Sequence, residues 1–341
     1  DLKIKDSDLV VATHGRSFWI LDDITPLRHF AQAAGQTSFF PPRETIRQKI
    51  NWSAGLFNGD GVDYSPAFGV PGASYMADLP DGTRARKYLD TGENPPNGAI
   101  FYYWLNEEAT KSLIKFQVYD NKGKIVAKCD CSDKNSADNR KPPTNSGLNR
   151  FVWDLTEVAP IRLDKSLKDQ KYEPFSKGGN GPAGVVVKPG KYQVTMTIGH
   201  ITKTQSLLIL KDPRINTSDA DFTEQHDLAS SILGKLSELN IAVNRIRLMK
   251  QQLKNIYKII PEQTPLADNL VAKLTTIEAL LVDTKRETPR DVLRHPAGLD
   301  DTLENLLSVV TISDSKPPAQ TREVADDVFN KVDVLLTQLD V

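Results

Sequence analysis

Apolar and polar positions alternate with a period of two in the first hairpin and over 98–211, and with a period near 3.6 over the last third of the chain. Asp8–Thr13 and Phe18–Asp23 flank the turn His14-Gly15-Arg16-Ser17, which predicts strand, tight turn, strand. Further strands are predicted over Ala99–Leu105, Leu113–Tyr119, Lys124–Ala127 and Asn149–Leu155. Pro189–Ile198 is expected to pair with Lys203–Leu210 across Gly199-His200. Asp120-Asn121-Lys122-Gly123 supplies a glycine-containing hairpin turn. Together these runs predict an antiparallel β-sandwich over 98–213, with Trp153 as its central ring. Between the first hairpin and this region, Pro41 and Pro42 deny backbone donors. Asn58-Gly59-Asp60-Gly61 through Pro71-Gly72 has turn residues with little periodicity, so 41–97 reads as a long irregular connector.

From Ser218 the period changes. Ser218, Asp219 and Asp221 offer an N-cap and an acidic first turn. Ala229, Ile232, Leu236, Leu239, Val243, Ile246, Leu253 and Tyr257 then recur in steps of three and four, with Lys250 interrupting the seam. One helix is expected to run to about Lys258, where Pro261 and Pro265 stop it. A second follows over 266–286, a third over 298–312, and a fourth over 320–339 after Pro317-Pro318. These apolar stripes predict an antiparallel helical bundle over 214–341.

A length of 341 residues suits two or three such domains. The net charge is -1, which removes a global electrostatic attraction to nucleic acid, and no run of about 18 apolar residues exists to span a membrane. The charge is unevenly placed. Residues 1–218 carry 29 basic and 24 acidic side chains (+5), and 219–341 carry 14 and 20 (-6). Arg247, Lys250, Lys254 and Lys258 form a basic stripe within that acidic part, expected to be a solvated face or a meeting point for an acidic partner. Cys129 and Cys131 are two residues apart and cannot staple distant segments. Neither His226 nor His295 has a glutamate three residues before it, so the carboxylate-bridged metal pattern of helical bundles is missing. No metal and no cofactor is expected.

Candidate chemistry is sparse. His14, Arg16 and Asp22 are a polar group near the first hairpin, readable as turn-shaping residues or as a ligand-binding cluster. Asp22 and Asp23 are adjacent on a strand and point to opposite faces, so they do not form a glycosidase carboxylate pair. Trp52, Phe57, Tyr64, Phe68 and Tyr75 give the connector rings that either anchor it or stack against sugars, with Trp52 and Tyr64 the candidate carbohydrate contacts. The loop 130–139 has oxygen ligands at short spacing but lacks the glycine and terminal glutamate of an EF-hand. The glycine-rich run 178–184 precedes a strand, so it lacks the helix N-terminus of a phosphate loop.

The stretch from Asp8-Leu9-Val10-Val11-Ala12-Thr13-His14-Gly15-Arg16-Ser17-Phe18-Trp19-Ile20-Leu21-Asp22-Asp23 to Arg28 resembles the last blade of bacterial sortilin-like, neuraminidase-repeat or "glycosyl hydrolase" β-propeller proteins. Phe39-Phe40-Pro41-Pro42-Arg43, Gly92–Ile100 and Gly147–Leu155 extend the resemblance over roughly 1–250. The resemblance implies a multidomain β-plus-α chain: a last propeller-blade hairpin in 1–40, a connector in 41–97, a fibronectin- or immunoglobulin-like sandwich in 98–213 and the bundle in 214–341. It also implies that the rest of the propeller lies ahead of Asp1 or on another chain. No Ser-x-Asp-x-Gly-x-Thr-Trp repeat occurs in the sequence. The expected function is therefore a non-catalytic structural or interaction module of an exported, periplasmic, cell-surface or extracellular protein, docking onto the propeller or another exported partner. The alternatives are an accessory region of a sialidase-like glycoside hydrolase whose active site lies in the propeller, or a carbohydrate-binding module.

Overall fold

The computed structural model describes residues 1–33, 35–48, 62–63, 73–78, 84–89, 95–132, 141–167, 183–259, 264–285 and 294–340. It is a mixed β and α protein with several antiparallel sheets and, among the described residues, five α-helices. The chain forms two compact units: 1–155 with 189–215, and 156–188 with 216–341. Residues 156–188, which the strand pattern had placed inside 98–213, belong to the helical unit.

The first unit opens with strands β1 (Leu2–Lys5), β2 (Asp8–Ala12) and β3 (Phe18–Leu21), hydrogen-bonded in that order and antiparallel. The sequence predicts only β2 and β3. β1 exists because Leu2, Lys3, Ile4 and Lys5 alternate and Asp6 adopts a left-handed φ of 55°, which folds the chain back within two residues. Helix α1 (Thr25–Ala33), also not anticipated, carries Pro26 in its first turn, where a missing N–H costs nothing.

Strands β4 (Ser38–Phe39), β5 (Thr45–Arg47), β6 (Val62–Asp63), β7 (Ser74–Asp78) and β8 (Arg84–Tyr88) follow. β6, β7 and β8 form a small antiparallel sheet. The expectation of an irregular 41–97 therefore needs correction, because Ser74–Asp78 and Arg84–Tyr88 pair residue by residue despite their polar character. Next come β9 (Ala99–Leu105), β10 (Ile114–Tyr119), β11 (Ile125–Asp130), β12 (Gly147–Trp153), β13 (Gly190–Ile198) and β14 (Ile201–Lys211). They form a five-stranded sheet ordered β11-β10-β13-β14-β5, in which only β5 pairs parallel, and a three-stranded sheet ordered β12-β9-β4. Burial alternates strictly along β9 and β10, which the period-two pattern dictates. Phe116 of β10 meets Phe39, Phe101, Tyr103 and Phe151 at centroid distances of 5.3–5.7 Å. Trp153 is buried, but the ring cluster centres on Phe116. Gly98 is required where it stands, because a Cβ there would lie 2.3 Å from the Trp153 carbonyl oxygen at a φ of +137°.

The second unit holds helices α2 (Asp219–Ile259), α3 (Thr264–Leu281), α4 (Leu299–Thr311) and α5 (Ala319–Asp340), all within a few residues of the expected spans. Ser218 caps α2 through reciprocal bonds with Asp221. Leu228, Ile232, Leu236, Leu239, Val243 and Ile246 of α2 form a common core with Leu274, Leu303, Val328 and Val332. Lys250 and Arg247 are buried in this unit rather than solvated. Arg247 Nε and Lys250 Nζ donate to the two carboxylate oxygens of Glu278 at 2.7 and 3.0 Å. The basic stripe at these two positions is thus an interior ion network, because α3 supplies a carboxylate that no single-helix pattern could reveal.

Residues 157–164 lie along α2. The Ile161 N–H donates to Ser237 Oγ, Asn240 Nδ2 donates to the Ile161 carbonyl, the Asp164 N–H donates to Asn244 Oδ1, and Asn244 Nδ2 donates to the Arg162 carbonyl. Steps of three and four align Ser237, Asn240 and Asn244 on one helix face. Glu157 Oε1 and His226 Nε2 lie 2.8 Å apart, and Val185 enters the helical core.

Candidate functional site

The register of the first sheet decides which side chains share a face. Leu2 pairs with Val11 and Ile4 with Leu9; Val11 in turn pairs with Trp19 and Leu9 with Leu21. Directly paired residues point to the same side of a sheet, so Leu2, Ile4, Leu9, Val11, Trp19 and Leu21 make one face with no polar member. The opposite face holds Lys3, Lys5, Asp8, Val10, Ala12, Phe18 and Ile20. Neither face is covered among the described residues: Leu2 is 67% exposed, Trp19 65%, Phe18 75% and Ile20 60%. Scattered exposed apolar residues are ordinary, but a contiguous sheet with apolar groups on both faces marks an interaction surface. Trp19 is held in place because its Nε1–H donates to the Arg16 carbonyl at 3.1 Å.

A polar cluster lies at the Asp22 end of the sheet. Asp8 accepts the Asp23 N–H at 3.0 Å and two Arg43 donors at 2.7 and 3.3 Å. Burial pushes the Asp8 carboxyl up, but the Asp23 N–H and Arg43 outweigh it and leave it below the usual carboxylate range. Asp22 goes the other way. Its partial burial and the charge of Asp8 raise it, against the attraction of Arg43 and Arg150. Burial likewise raises the Tyr102 phenol, opposed by Arg150, which hydrogen-bonds it across the β9–β12 pair. The group Asp8, Asp22, Asp23, Arg43, Tyr102 and Arg150 is therefore a largely self-neutralised network. Asp22 is its one anticipated member; Asp8, Asp23, Arg43, Tyr102 and Arg150 are not, and the only sequence signal for Tyr102 and Arg150 is their shared register on paired strands.

His14 and Arg16 are exposed in the β2–β3 turn, whereas Asp22 follows the far end of β3. Six residues of extended chain span about 20 Å, so His14 and Arg16 do not converge with Asp22 on one ligand. Trp52 and Tyr64 lie outside the described residues, as do 133–140 and most of the glycine-rich run. Asp130 is engaged locally, accepting the Ser132 N–H and hydroxyl at 2.9 and 2.7 Å. Cys131 Sγ accepts the Ile114 N–H at 3.2 Å, and neither cysteine is in a disulfide. Among the described residues no group of three or more His, Cys, Asp or Glu side chains is placed to hold a metal ion, and no helix is long and apolar enough to cross a membrane.

No family model, curated protein or solved structure matches this chain.

Proposed function

We propose that this chain is a non-catalytic docking module at the C-terminal end of an exported β-propeller protein, with β1–β3 forming part of the last blade. In this reading the two facing sheets built on β9 and β10 are a fibronectin-type sandwich, and α2–α5 are an antiparallel bundle. The observation that carries the proposal is that β1–β3 exposes large apolar side chains on both faces, Leu2, Ile4, Trp19 and Leu21 on one and Phe18 and Ile20 on the other, beside the charged Lys3, Lys5 and Asp8. A solvated sheet keeps one polar face, whereas a blade is apolar on both because a neighbour packs on each side. The resemblance of Asp8–Arg28 to a final blade supplies the identity of those neighbours.

The test is hydrogen exchange at the amides of Leu9–Leu21, in this chain alone and in a longer polypeptide that includes the residues encoded upstream. Strong protection that appears only in the longer polypeptide is expected. Equal exchange in the two would overturn the proposal. Carbohydrate binding is a second reading, favoured by the guanidinium and carboxylate groups beside Tyr102. Glycan-array signal lost on Arg150→Ala would support it, and a blank array would remove it.

A further inference from the structure

One imidazole in the helical unit stands between two carboxylates and bonds to only one of them. His226 of α2 and Glu157 of the segment laid against it meet through Nε2 and Oε1 at 2.8 Å, with side chains 15% and 21% exposed. A carboxylate oxygen only accepts, so Nε2 carries the proton and Nδ1 of the neutral ring is an acceptor. That Nδ1 is buried and has no hydrogen-bond partner. It lies 3.6 Å from Asp227 Oδ1, which is too far for a hydrogen bond and, with the ring neutral, sets acceptor against acceptor. Lys188 Nζ of the same segment lies 3.5 Å from Thr223 Oγ1, nearly one turn earlier on α2. Among the described residues α3, α4 and α5 contribute no ion pair to the imidazole. Glu157 is itself fixed within the segment. Its N–H donates to the Val185 carbonyl, Thr156 bridges Val186, and Gly184 packs so closely that a Cβ there would lie 2.0 Å from the Glu157 carbonyl oxygen. The Glu157–His226 bond therefore ties both arms of the segment, 156–157 and 184–186, to α2 at once.

We propose that His226 is an acid-closed latch: protonation of its Nδ1 adds Asp227 as a second carboxylate partner and tightens the hold of residues 156–164 and 184–186 on α2. Histidine is the side chain whose charge ordinarily changes between about pH 5 and 8. With Nδ1 protonated, the unpartnered acceptor becomes a donor, and the ring bridges two anions, one from the segment and one from its own helix. Asp227 is 64% exposed, so solvent leaves its carboxylate room to swing the roughly 0.8 Å that brings 3.6 Å to the length of a charge-assisted hydrogen bond. Glu157 gains as well, because a cationic donor replaces a neutral one. Attachment of the segment is therefore strongest in acid and weakens as pH rises and the imidazole loses its proton. The exposure of Asp227 bounds the effect, since a pair of that kind moves an equilibrium by about two- to fivefold. The latch stands apart from the docking sheet, because all three of its side chains belong to the helical unit.

Amide hydrogen exchange of the 341-residue chain at about pH 5.5 and about pH 8, with each rate divided by that of an unstructured peptide at the same pH, reads the latch directly. The reporters are the amides of Glu157, Ile161 and Asp164, which donate to the Val185 carbonyl, Ser237 Oγ and Asn244 Oδ1. Their protection is expected to be about two- to fivefold greater at the lower pH. His226→Gln keeps an amide that can donate to Glu157 but cannot take a proton, so the gain should disappear while the segment stays attached. Asp227→Asn, which removes only the second anion, should reduce the gain. Nitrogen NMR of the histidine rings in the unaltered chain needs no variant: the His226 ring is expected as the Nε2–H tautomer at the higher pH and with both ring nitrogens protonated at the lower. Equal protection at the two pH values, a gain that survives His226→Gln or is indifferent to Asp227→Asn, or an Nδ1–H tautomer at the higher pH each overturns the proposal.

Discussion

Glu278→Ala tests whether the interior charge of the helical unit is held by one carboxylate. The side chains of Glu278, Arg247 and Lys250 are 4%, 6% and 9% exposed, and Glu278 is the acceptor that joins the two cations. Removing it takes from Arg247 and Lys250 the buried acceptor they share, a defect that costs about 3–5 kcal/mol when one partner of a buried pair is deleted. For a unit of this size each kcal/mol moves the midpoint by about 2–4 °C, so the thermal transition of the helices should fall by about 6–20 °C. Far-ultraviolet circular dichroism isolates that transition, since α2–α5 hold most of the helix. The triple replacement Arg247→Met, Lys250→Met and Glu278→Leu removes every charge and keeps volume, and is expected to be neutral or more stable by about 1–4 kcal/mol. A loss below about 1 kcal/mol for Glu278→Ala, or a triple variant as damaged as the single one, refutes the reasoning.

Phe116→Ala, at the centre of five packed rings and fully buried, is expected to destabilise the β unit by about 3–5 kcal/mol in urea titration, with Leu113→Ala, which is 66% exposed, as a near-neutral control. Gly184→Ala would place a Cβ 2.0 Å from the Glu157 carbonyl oxygen, so it should break the Thr156–Val186 bridge and cost about 1–3 kcal/mol; hydrogen exchange at Glu157, whose N–H donates to the Val185 carbonyl, should rise. The Asp212 carboxyl, held down to about 2 by hydrogen bonds from the Arg214 side chain and backbone, should titrate there by carbon-detected NMR. Its pKa is depressed by folding, so its stabilising contribution is complete above the ordinary carboxylate value of about 3.9 and is lost as pH falls through about 2. Arg214→Ala should move the titration upward, with the remaining backbone donor keeping it below the ordinary value, and an unmoved titration would sink the assignment.

What the sequence disclosed follows from how local each signal is. β13 and β14 were legible because Gly199-His200 sits between two alternating runs, and the ladder closes there with Ile198 opposite Ile201. The four long helices were legible because an apolar step of three or four repeats many times within each. β5 was not, because it enters the five-stranded sheet as a parallel strand beside β14, more than 150 residues away in sequence, and three residues carry no period. Segment 156–188 was misplaced for a related reason. Four of its ties to α2 are backbone bonds to Ser237, Asn240 and Asn244, and a backbone donor or acceptor leaves no mark on the identity of the residue that offers it; the Glu157–His226 contact joins residues 69 apart in sequence.

The functional surface shows the same division more sharply. The sequence points to Asp22 as the acid of a polar group with His14 and Arg16. The partners that set its properties, Asp8, Arg43 and Arg150, come from three separate places in the chain. His14 and Arg16 were grouped with it because they are near in sequence, yet an extended strand carries near neighbours apart at about 3.3 Å per residue. The apolar face of β1–β3, by contrast, could be read only once β1 was known to pair with β2, since Leu2 and Ile4 complete a surface that Leu9, Val11, Trp19 and Leu21 leave two strands wide. That third strand is what turns an ordinary exposed hairpin into a three-stranded sheet with one continuous apolar face.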